Sequence, residues 1–210
     1  MAKHTHNHHN PQIVTPQRAK KDPQRRAKLL LGWALGFIMV SSTFGFLMGS
    51  SFNGNSITYG KYQFRQEQDN TFTVKIKGKV QTFYFLPDQL QNVNITGDPV
   101  GTLQTSQAIA ISFVPNQSNA QGVDLLRYLL EQEFQEKGTY VIHGATTSLP
   151  ALQQISCANA SSFVPVIVIA PGNATSIDES DDCVTIRSPS AAGFIQAHDR
   201  LKYGMLGVME

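Results

Sequence analysis

The stretch that decides the fold is FVPVIVIA, residues Phe163–Ala170. It is apolar without interruption, which is typical of a strand buried on both faces of a parallel sheet. A second apolar stretch, AIAISFV at Ala108–Val114, stops at Pro115 and is predicted to be another strand. Because a sheet of this kind has to be covered by helices, the two stretches predict an α/β domain.

The other elements of this domain follow from periodicity and from the positions of Gly and Pro. They are a helix over Asn119–Lys137 closed by Gly138, a strand over Thr139–His143, a short helix over Leu149–Ile155 opening at Pro150, a strand over Cys183–Arg187 after a long polar turn, and a last helix that begins at Ser188-Pro189. The predicted order from Ala108 onward is therefore strand, helix, strand, helix, strand, strand, helix, or βαβαββα.

The residues before this region have the two-residue hydrophobic period of β-strands. Between Tyr59 and Pro87 apolar and polar residues alternate in three runs, with a hairpin turn at Lys77-Gly78. We predict a three-stranded antiparallel meander that packs on the βαβαββα mixed sheet. The expected fold class is α/β (α+β), in a domain that covers residues 59–210.

The element order resembles the core of thioredoxin-like proteins. The likeness includes Pro165 at the start of the third core strand, where that family places a cis proline, and it covers about half of the chain. Where the family's CxxC motif would open the first helix, Pro115–Asn119 contains no cysteine, so disulfide exchange is not implied. A Rossmann-like mixed sheet is the alternative for the same order.

The N-terminal part of the chain predicts a membrane anchor. Charged residues make up 15% of the chain, below the ~25% of average soluble proteins, and none lies between residues 29 and 60. Leu29–Met48 is a predominantly apolar run of twenty residues, long enough to span a hydrocarbon core of ~30 Å. We predict one transmembrane helix there, with a cleaved signal peptide over Leu29–Val40 as the alternative.

Charge on either side of this run predicts its orientation. Residues 1–28 carry seven Lys or Arg against one Asp and lack apolar periodicity, so we expect a disordered tail on the cytoplasmic side. The run is followed by a Gly/Asn/Ser-rich linker, residues 49–58. The domain beyond the linker is therefore predicted to be extracytoplasmic, in a single-pass protein of the cell membrane.

The predicted partners follow from the same segment. Gly32 and Gly36 form a small-xxx-small pair that lets a second helix approach closely. We expect contact with the lipid bilayer and with another membrane or surface protein, which includes a second copy of this chain. The basic residues lie directly before the span and suit topology or anionic lipid, so nucleic acid is not a predicted partner.

The cysteines and sequons agree with an external domain. Cys157 and Cys183 lie 26 positions apart and are predicted to form a disulfide bond worth about 3 kcal/mol by loop closure. A redox-active pair is the alternative, although the CxxC spacing is missing. The candidate N-glycosylation sites are Asn94, Asn116, Asn159 and Asn173, in segments predicted to be loops or turns.

Few residues are candidates for catalysis. His143, at the predicted end of a strand before Gly144, lies where α/β sheets bind ligands and is the one catalytic candidate. His198 falls on the apolar stripe of the last helix and is predicted to be a packing residue. No nucleotide-binding or hydrolase motif occurs, and no cofactor is predicted.

Metal binding has two candidate clusters. Asp178, Asp181 and Asp182 form, with Glu179, an acidic group in the predicted turn before Cys183, of the kind that binds extracellular calcium. The N-terminal tail contributes a second group of possible ligands for a transition metal, His4, His6, His8 and His9.

The layout as a whole resembles small single-span membrane proteins of unknown function from archaea. The most specific parts of this likeness are CVTI at Cys183–Ile186 and AHDRLKYGMLG at Ala197–Gly207. The resemblance implies a surface location and lends no activity. We predict a module that binds or assembles at the cell envelope rather than an enzyme. The alternatives are an extracytoplasmic enzyme with a site near His143 and a non-catalytic thioredoxin-like protein.

Overall fold

A computed structural model describes residues 56–209, together with Trp33 and Ile38, which are helical and exposed. The predicted tail, most of the predicted span and linker, and the glycine pair Gly32 and Gly36 lie outside the described residues. Within the part that is described, no helix is long and apolar enough to cross a membrane. Residues 56–209 fall within one compact unit, which is mixed α/β with an antiparallel sheet and a mixed sheet.

The first sheet has four antiparallel strands where three were predicted. They are β1 (Ser56–Tyr59), β2 (Tyr62–Gln66), β3 (Phe72–Ile76) and β4 (Lys79–Phe83), in the order β1-β2-β3-β4. The extra strand takes residues 56–58 from the predicted linker, because Ile57 pairs with Phe64 of β2. The hairpin turn at Lys77-Gly78 is confirmed, with both residues at positive φ.

The rest of the chain builds the second sheet and its helices. Short 3₁₀ turns occur at Pro87–Leu90 and Cys157–Asn159. The regular elements are β5 (Asn94–Thr96), α1 (Pro99–Gln104), β6 (Ala108–Phe113), α2 (Ala120–Glu136), β7 (Tyr140–Ala145), β8 (Gln153–Gln154), β9 (Val166–Pro171), β10 (Ser176–Ser180), β11 (Cys183–Ser188) and α3 (Ala191–Leu206).

The seven strands lie in the order β5-β10-β11-β9-β6-β7-β8. Neighbouring strands from β11 to β8 are parallel, β10 is antiparallel to β11, and β5 is parallel to β10. Strand β9 lies between two parallel neighbours, and its residues 166–169 are buried, as the apolar stretch predicted. The strand begins three residues after the predicted start, because Phe163 is 84% exposed and Val164 pairs with Ser161 instead. The strand order reverses between β6 and β9, because β7 lies on one side of β6 and β9 lies on the other.

Two predicted elements of this region are wrong. Leu149–Ile155 is not a helix: Leu149 and Leu152 form an isolated bridge, and β8 follows. The backbone of this segment is instead held against the sheet, since Ile155 donates its N–H to Ala145 O at 2.9 Å and accepts Ser112 Oγ–H at 2.6 Å. The long polar turn before Cys183 contains strand β10, so the order from β6 is βαβββββα rather than βαβαββα.

The ends of the helices differ slightly from prediction. Helix α2 is confirmed, with Lys137 as its C-cap and Gly138 at φ 81° one residue later. Helix α3 begins two residues after the predicted point, because Ser188 still belongs to β11. Its cap is Ser190, whose Oγ accepts the N–H of Gly193 at 3.1 Å. No described peptide bond is cis, so the bond before Pro165 is trans.

The main core joins both sheets through α3. One apolar cluster runs from the antiparallel sheet through α3 to the side of the large sheet that α2 also covers. Tyr203 of α3 stacks on Phe83 with ring centroids 3.9 Å apart, and Phe64 meets both rings edge-on. The antiparallel sheet is therefore packed on α3, as its apolar face required.

Helices α2 and α3 also share a buried ion-pair network. The carboxylate of Glu133 is 8% exposed and lies 3.0 Å from Lys202 Nζ and 3.4 Å from Lys137 Nζ. Burial by itself would raise the pKa of Glu133. The two lysine charges outweigh burial, with a further contribution from His198, so this pKa lies below its ordinary value.

The opposite side of the large sheet is covered only in part. A smaller apolar cluster there contains Ala110, Ile155, Val166, Val168 and Cys183, and the segment 149–165 packs over it. The polar residues of β5, β10 and β11 on this side are half-buried or exposed. This uncovered part of the sheet contains the candidate site.

Candidate functional site

The candidate site is a set of six polar side chains that we call the polar face. It consists of Thr96 on β5, Ser176, Asp178 and Ser180 on β10, and Thr185 and Arg187 on β11. Their common orientation follows from strand alternation, since Ser176 pairs with Arg187 and Asp178 pairs with Thr185. The residues between them, such as Ile177 and Ile186, are fully buried on the helix side.

Asp178 is the centre of this face. Its Oδ1 accepts the hydroxyl of Thr96 at 2.8 Å. Its Oδ2 accepts the hydroxyl of Ser176 at 2.8 Å and Nη1 of Arg187 at 2.6 Å. One carboxylate thus joins three neighbouring strands, and its two oxygens both have donors before any ligand arrives.

These contacts set the protonation state of Asp178. Burial by itself would raise the pKa of this carboxyl. The hydrogen bonds from Thr96 and Ser176 and the positive charge of Arg187 outweigh burial, so the pKa lies below its ordinary value. Asp178 and Arg187 are therefore a charged pair at neutral pH.

The predicted disulfide between Cys157 and Cys183 is confirmed and borders the polar face. Cys183 is 4% exposed, whereas Cys157 is exposed on the 3₁₀ turn that packs over the sheet. The Sγ of Cys157 lies 3.9 Å from the hydroxyl of Thr185. The bond ties the segment 149–165 to β11, so it holds one wall of the site in place.

The disulfide and four residues of the polar face line a pocket of about 290 Å³. Its walls are Cys157, Asp178, Glu179, Ser180, Asp181, Cys183, Thr185 and Arg187. Three carboxylates and one guanidinium give this pocket a negative balance, and two hydroxyl side chains add donors and acceptors. Such a surface suits a polar ligand or a polar partner surface rather than an apolar one.

The acidic residues predicted to bind calcium are only partly brought together. Asp178 and Asp181 line the pocket, but Asp182 does not. Asp181 and Asp182 form the β10–β11 turn, with φ of 51° and 61°, and the oxygens of Asp178 already have donors. Among residues 56–209, no three His, Cys, Asp or Glu side chains are grouped as metal ligands.

His143 lies away from the strand end where the sequence placed it. Strand β7 continues to Ala145, and His143 pairs with Ile111 inside the sheet. Its Nε2 lies 3.3 Å from Glu131 Oε1 on α2, and its Nδ1 is buried without a hydrogen-bond partner. His143 is thus a side chain of the helix–sheet boundary.

His198 is a packing residue, as predicted. It is 4% exposed, and its Nδ1 lies 3.0 Å from Oδ1 of Asp199. Asp199 is fully buried, and its Oδ2 accepts the N–H groups of Tyr84 and Phe85 at 2.7 and 2.8 Å. Asp199 therefore joins α3 to Tyr84 and Phe85, which directly follow β4.

All four candidate glycosylation sites are exposed. Asn116 and Asn173 lie in connections, and Asn159 ends a 3₁₀ turn. Asn94 differs from the prediction because it begins β5, where its side chain is still exposed. Each asparagine is therefore accessible on the folded domain.

Thr96 and Arg187 were not identified from the sequence. Thr96 is 82 residues from Asp178, so no local pattern relates them. Arg187 had a usable signal: Cys183, Thr185 and Arg187 alternate with apolar residues, and a hairpin to an SIDES strand would have placed them beside Asp178. The signal was lost because β10 was predicted to be a turn.

Comparison with known proteins gives no relative. No family model, no curated protein and no solved structure matches this chain. The two resemblances noted in the sequence stay predictions, and the site is interpreted from its own geometry.

Proposed function

We propose that this chain is a single-pass membrane protein whose extracytoplasmic domain binds a polar partner at the cell envelope through the polar face. The observation that carries the proposal is the Asp178 network, which is preformed on an uncovered part of the large sheet. Polar groups that are already held in place lose little freedom on binding, which favours recognition.

The same network favours binding over catalysis. A general acid or base needs a proton to gain or lose near the working pH, but Asp178 has a lowered pKa and is paired with Arg187. An enzyme with a site near His143 is the alternative, and its imidazole contacts Glu131 rather than a polar pocket. We therefore assign the polar face to recognition.

The extracytoplasmic location is supported by three features. The basic residues of the tail precede the apolar run, which favours a cytoplasmic N-terminus. The domain contains a disulfide bond, which persists in oxidising compartments. Its four sequons present exposed asparagines.

We also infer that the large sheet shares the strand order of Rossmann-like proteins, although its helices lie on one side. The four central parallel strands lie across the sheet in the order β7-β6-β9-β11. Numbered by their order in the chain, they are strands 2-1-3-4. That arrangement is one of the two common doubly wound orders. The trans bond before Pro165 departs from the thioredoxin-like pattern.

The polar face is tested by site-specific photocrosslinking in cells that express the full chain. A photoreactive residue at Ser180 should give an adduct of one discrete mass, and the same residue at Gln132, exposed on α2, should not. The adduct should disappear when Asp178→Asn and Arg187→Gln are combined. Equal adducts from Gln132, or an adduct that survives the double substitution, would refute the polar face as the contact.

Location is tested separately on intact cells. A membrane-impermeant phosphine reductant followed by an impermeant maleimide should label Cys157, which is exposed once the bond is opened. Labelling that appears only after lysis would place the domain inside the cell and contradict the orientation. Because the crosslinking result does not depend on this one, location and binding can fail independently.

A further inference from the structure

The charge of the described domain is divided between its two sheets. Residues 56–83, which form the antiparallel sheet, carry five Lys or Arg and two acidic residues. Residues 84–209, which contain the large sheet, carry five Lys or Arg and eleven acidic residues. One part of the domain is therefore basic and the other is acidic, so two copies have surfaces of opposite charge to offer each other.

The basic residues are concentrated on the β3–β4 hairpin. Lys75, Lys77 and Lys79 lie within five residues of one another and are all exposed, and we call this group the lysine hairpin. Val80, which pairs with Lys75, is 69% exposed. The surface of the sheet beside the lysines is therefore uncovered.

The acidic residues of the antiparallel sheet lie at its other end. Glu67 and Asp69 belong to the β2–β3 connection, whereas the lysine hairpin lies at the same end as the β1–β2 turn, which adds Lys61. Ser56 pairs with Arg65, so the chain enters this sheet at the acidic end. The lysine hairpin thus lies away from the point of entry, which favours a protein partner over the bilayer predicted before that point.

The lysine hairpin has no ion pair with any residue of 56–209. In contrast, Lys137 and Lys202 both pair with the buried Glu133. A lysine ammonium is a compact charge with three donors on a flexible stem. The lysine hairpin therefore suits a surface that has negative charge and unused acceptors.

The polar face has these properties. Asp178 already has an ion-pair partner, but Glu179 and Asp181, which line the same pocket, form no ion pair with the described residues. Glu179 Oε2 accepts the N–H of Asp98 at 3.1 Å, and Asp181 Oδ2 accepts the hydroxyl of Ser180 at 3.2 Å. The second oxygen of each carboxylate is left to accept an ammonium group.

The two surfaces lie on opposite sides of the main core. Val74 and Ile76 alternate with Lys75 and are buried in that core, so Lys75 lies on the outer side of the antiparallel sheet. The polar face lies on the side of the large sheet away from the helices. One copy cannot bring its lysine hairpin to its own polar face, so this contact has to join two copies. Because the two surfaces differ, the contact is head-to-tail and leaves one surface of each kind free at the ends of a row.

We propose that the partner of the polar face is the lysine hairpin of a second copy, so that the chains assemble head-to-tail into rows. This inference rests on the proposed function, because it names the partner of the same polar face. The attraction is between exposed charges, which salt screens, so the assembly weakens as the ionic strength rises.

The test is photocrosslinking between two full-length chains that carry different epitope tags and are expressed in the same cells. A photoreactive residue at Ser180 of the first chain should give an adduct that has the mass of two chains and contains both tags. Lys75→Glu, Lys77→Glu and Lys79→Glu, combined in the second chain, should reduce this adduct at least tenfold. As the control, Gln121→Glu and Gln132→Glu add negative charge at exposed positions of α2 and should leave it unchanged.

An exchange of charges between the chains separates direct contact from a general effect. Glu179→Lys and Asp181→Lys in the first chain should also remove the adduct when the second chain is unaltered. The same two substitutions should restore it when the second chain carries the three Lys→Glu substitutions, and restoration also establishes that both variants fold. Absence of restoration would overturn the proposal.

Other outcomes refute the two proposals separately. A discrete Ser180 adduct with a different protein, or a two-chain adduct that survives reversal of the three lysines, would overturn the head-to-tail contact and leave the polar face as a binding surface. No adduct from Ser180 would overturn both proposals. A photoreactive residue at Val80 should give the same two-tag adduct, and a lipid adduct in its place would assign the lysine hairpin to the membrane and overturn the contact.

Discussion

Replacing Asp199 by alanine should destabilise the domain by about 3 kcal/mol, because this carboxylate joins the antiparallel sheet to α3. It is fully buried and accepts the N–H groups of Tyr84 and Phe85 at 2.7 and 2.8 Å. A hydrogen bond to a charged group contributes about 1.5–3 kcal/mol. Two such bonds, each at the lower end of this range, give the expected loss of about 3 kcal/mol.

A conservative variant separates the hydrogen bonds from the charge. Both N–H groups are accepted by the same oxygen, Oδ2, which Asp199→Asn can replace with its amide oxygen. This variant should lose only about 1 kcal/mol, the difference between a charged and a neutral acceptor. Asp88→Ala, at an exposed position, is the control and should stay within about 0.5 kcal/mol of the parent.

The assay is urea denaturation of the full chain in nanodiscs, followed by far-ultraviolet circular dichroism. The expected order of unfolding free energies is parent and Asp88→Ala, then Asp199→Asn, then Asp199→Ala. If Asp199→Ala unfolds within 0.5 kcal/mol of the parent, the carboxylate does not hold the two parts together. Equal losses for Asn and Ala would assign the effect to charge rather than to the two hydrogen bonds.

Three further predictions concern stability. Because the folded pKa of Glu133 is lowered, its ion pairs stabilise the chain above the unfolded pKa, and this contribution is lost as the pH falls through the folded pKa. Glu133→Gln should therefore lower the melting temperature at pH 7 and have little effect near pH 2; an equal effect at both would contradict this. Combined Cys157→Ser and Cys183→Ser should cost about 3 kcal/mol in urea, and a loss below 1 kcal/mol would refute the closure argument. Gly193→Ala should destabilise α3 by about 1–3 kcal/mol, because its Cβ would overlap two hydroxyls, whereas alanine normally stabilises a helix; a raised melting temperature would refute the overlap.

The accuracy of the sequence-based prediction depended on whether the deciding pattern was local. Strand β9 and helix α2 were predicted because a continuous apolar run and an apolar stripe are visible within each segment. Strand β1 was missed because its four residues become a strand only by pairing with β2. Strand β10 was missed because its polar face stays uncovered, so SIDES has the composition of a turn.

In the candidate site, too, only the features with a local sequence pattern could be predicted. The pairing of Cys157 with Cys183 was predictable because the described domain holds only these two cysteines and an external location favours their bond. The contact of Asp178 with Thr96 depends on β5 and β10 becoming neighbours, which requires the whole sheet order. For His143, the predicted strand ended two residues early, and the expected position at the strand end was lost with it.

The contacts of the polar face and those of the core differ in how much they contribute to stability. Asp178 and Arg187 are 32% and 45% exposed, and an exposed ion pair contributes at most about 1 kcal/mol to folding. The buried contacts of Asp199 and the disulfide contribute several times more. The ion pair thus adds little to folding, yet it holds polar groups of neighbouring strands on an uncovered part of the sheet, which supports the proposal that the polar face contacts a partner.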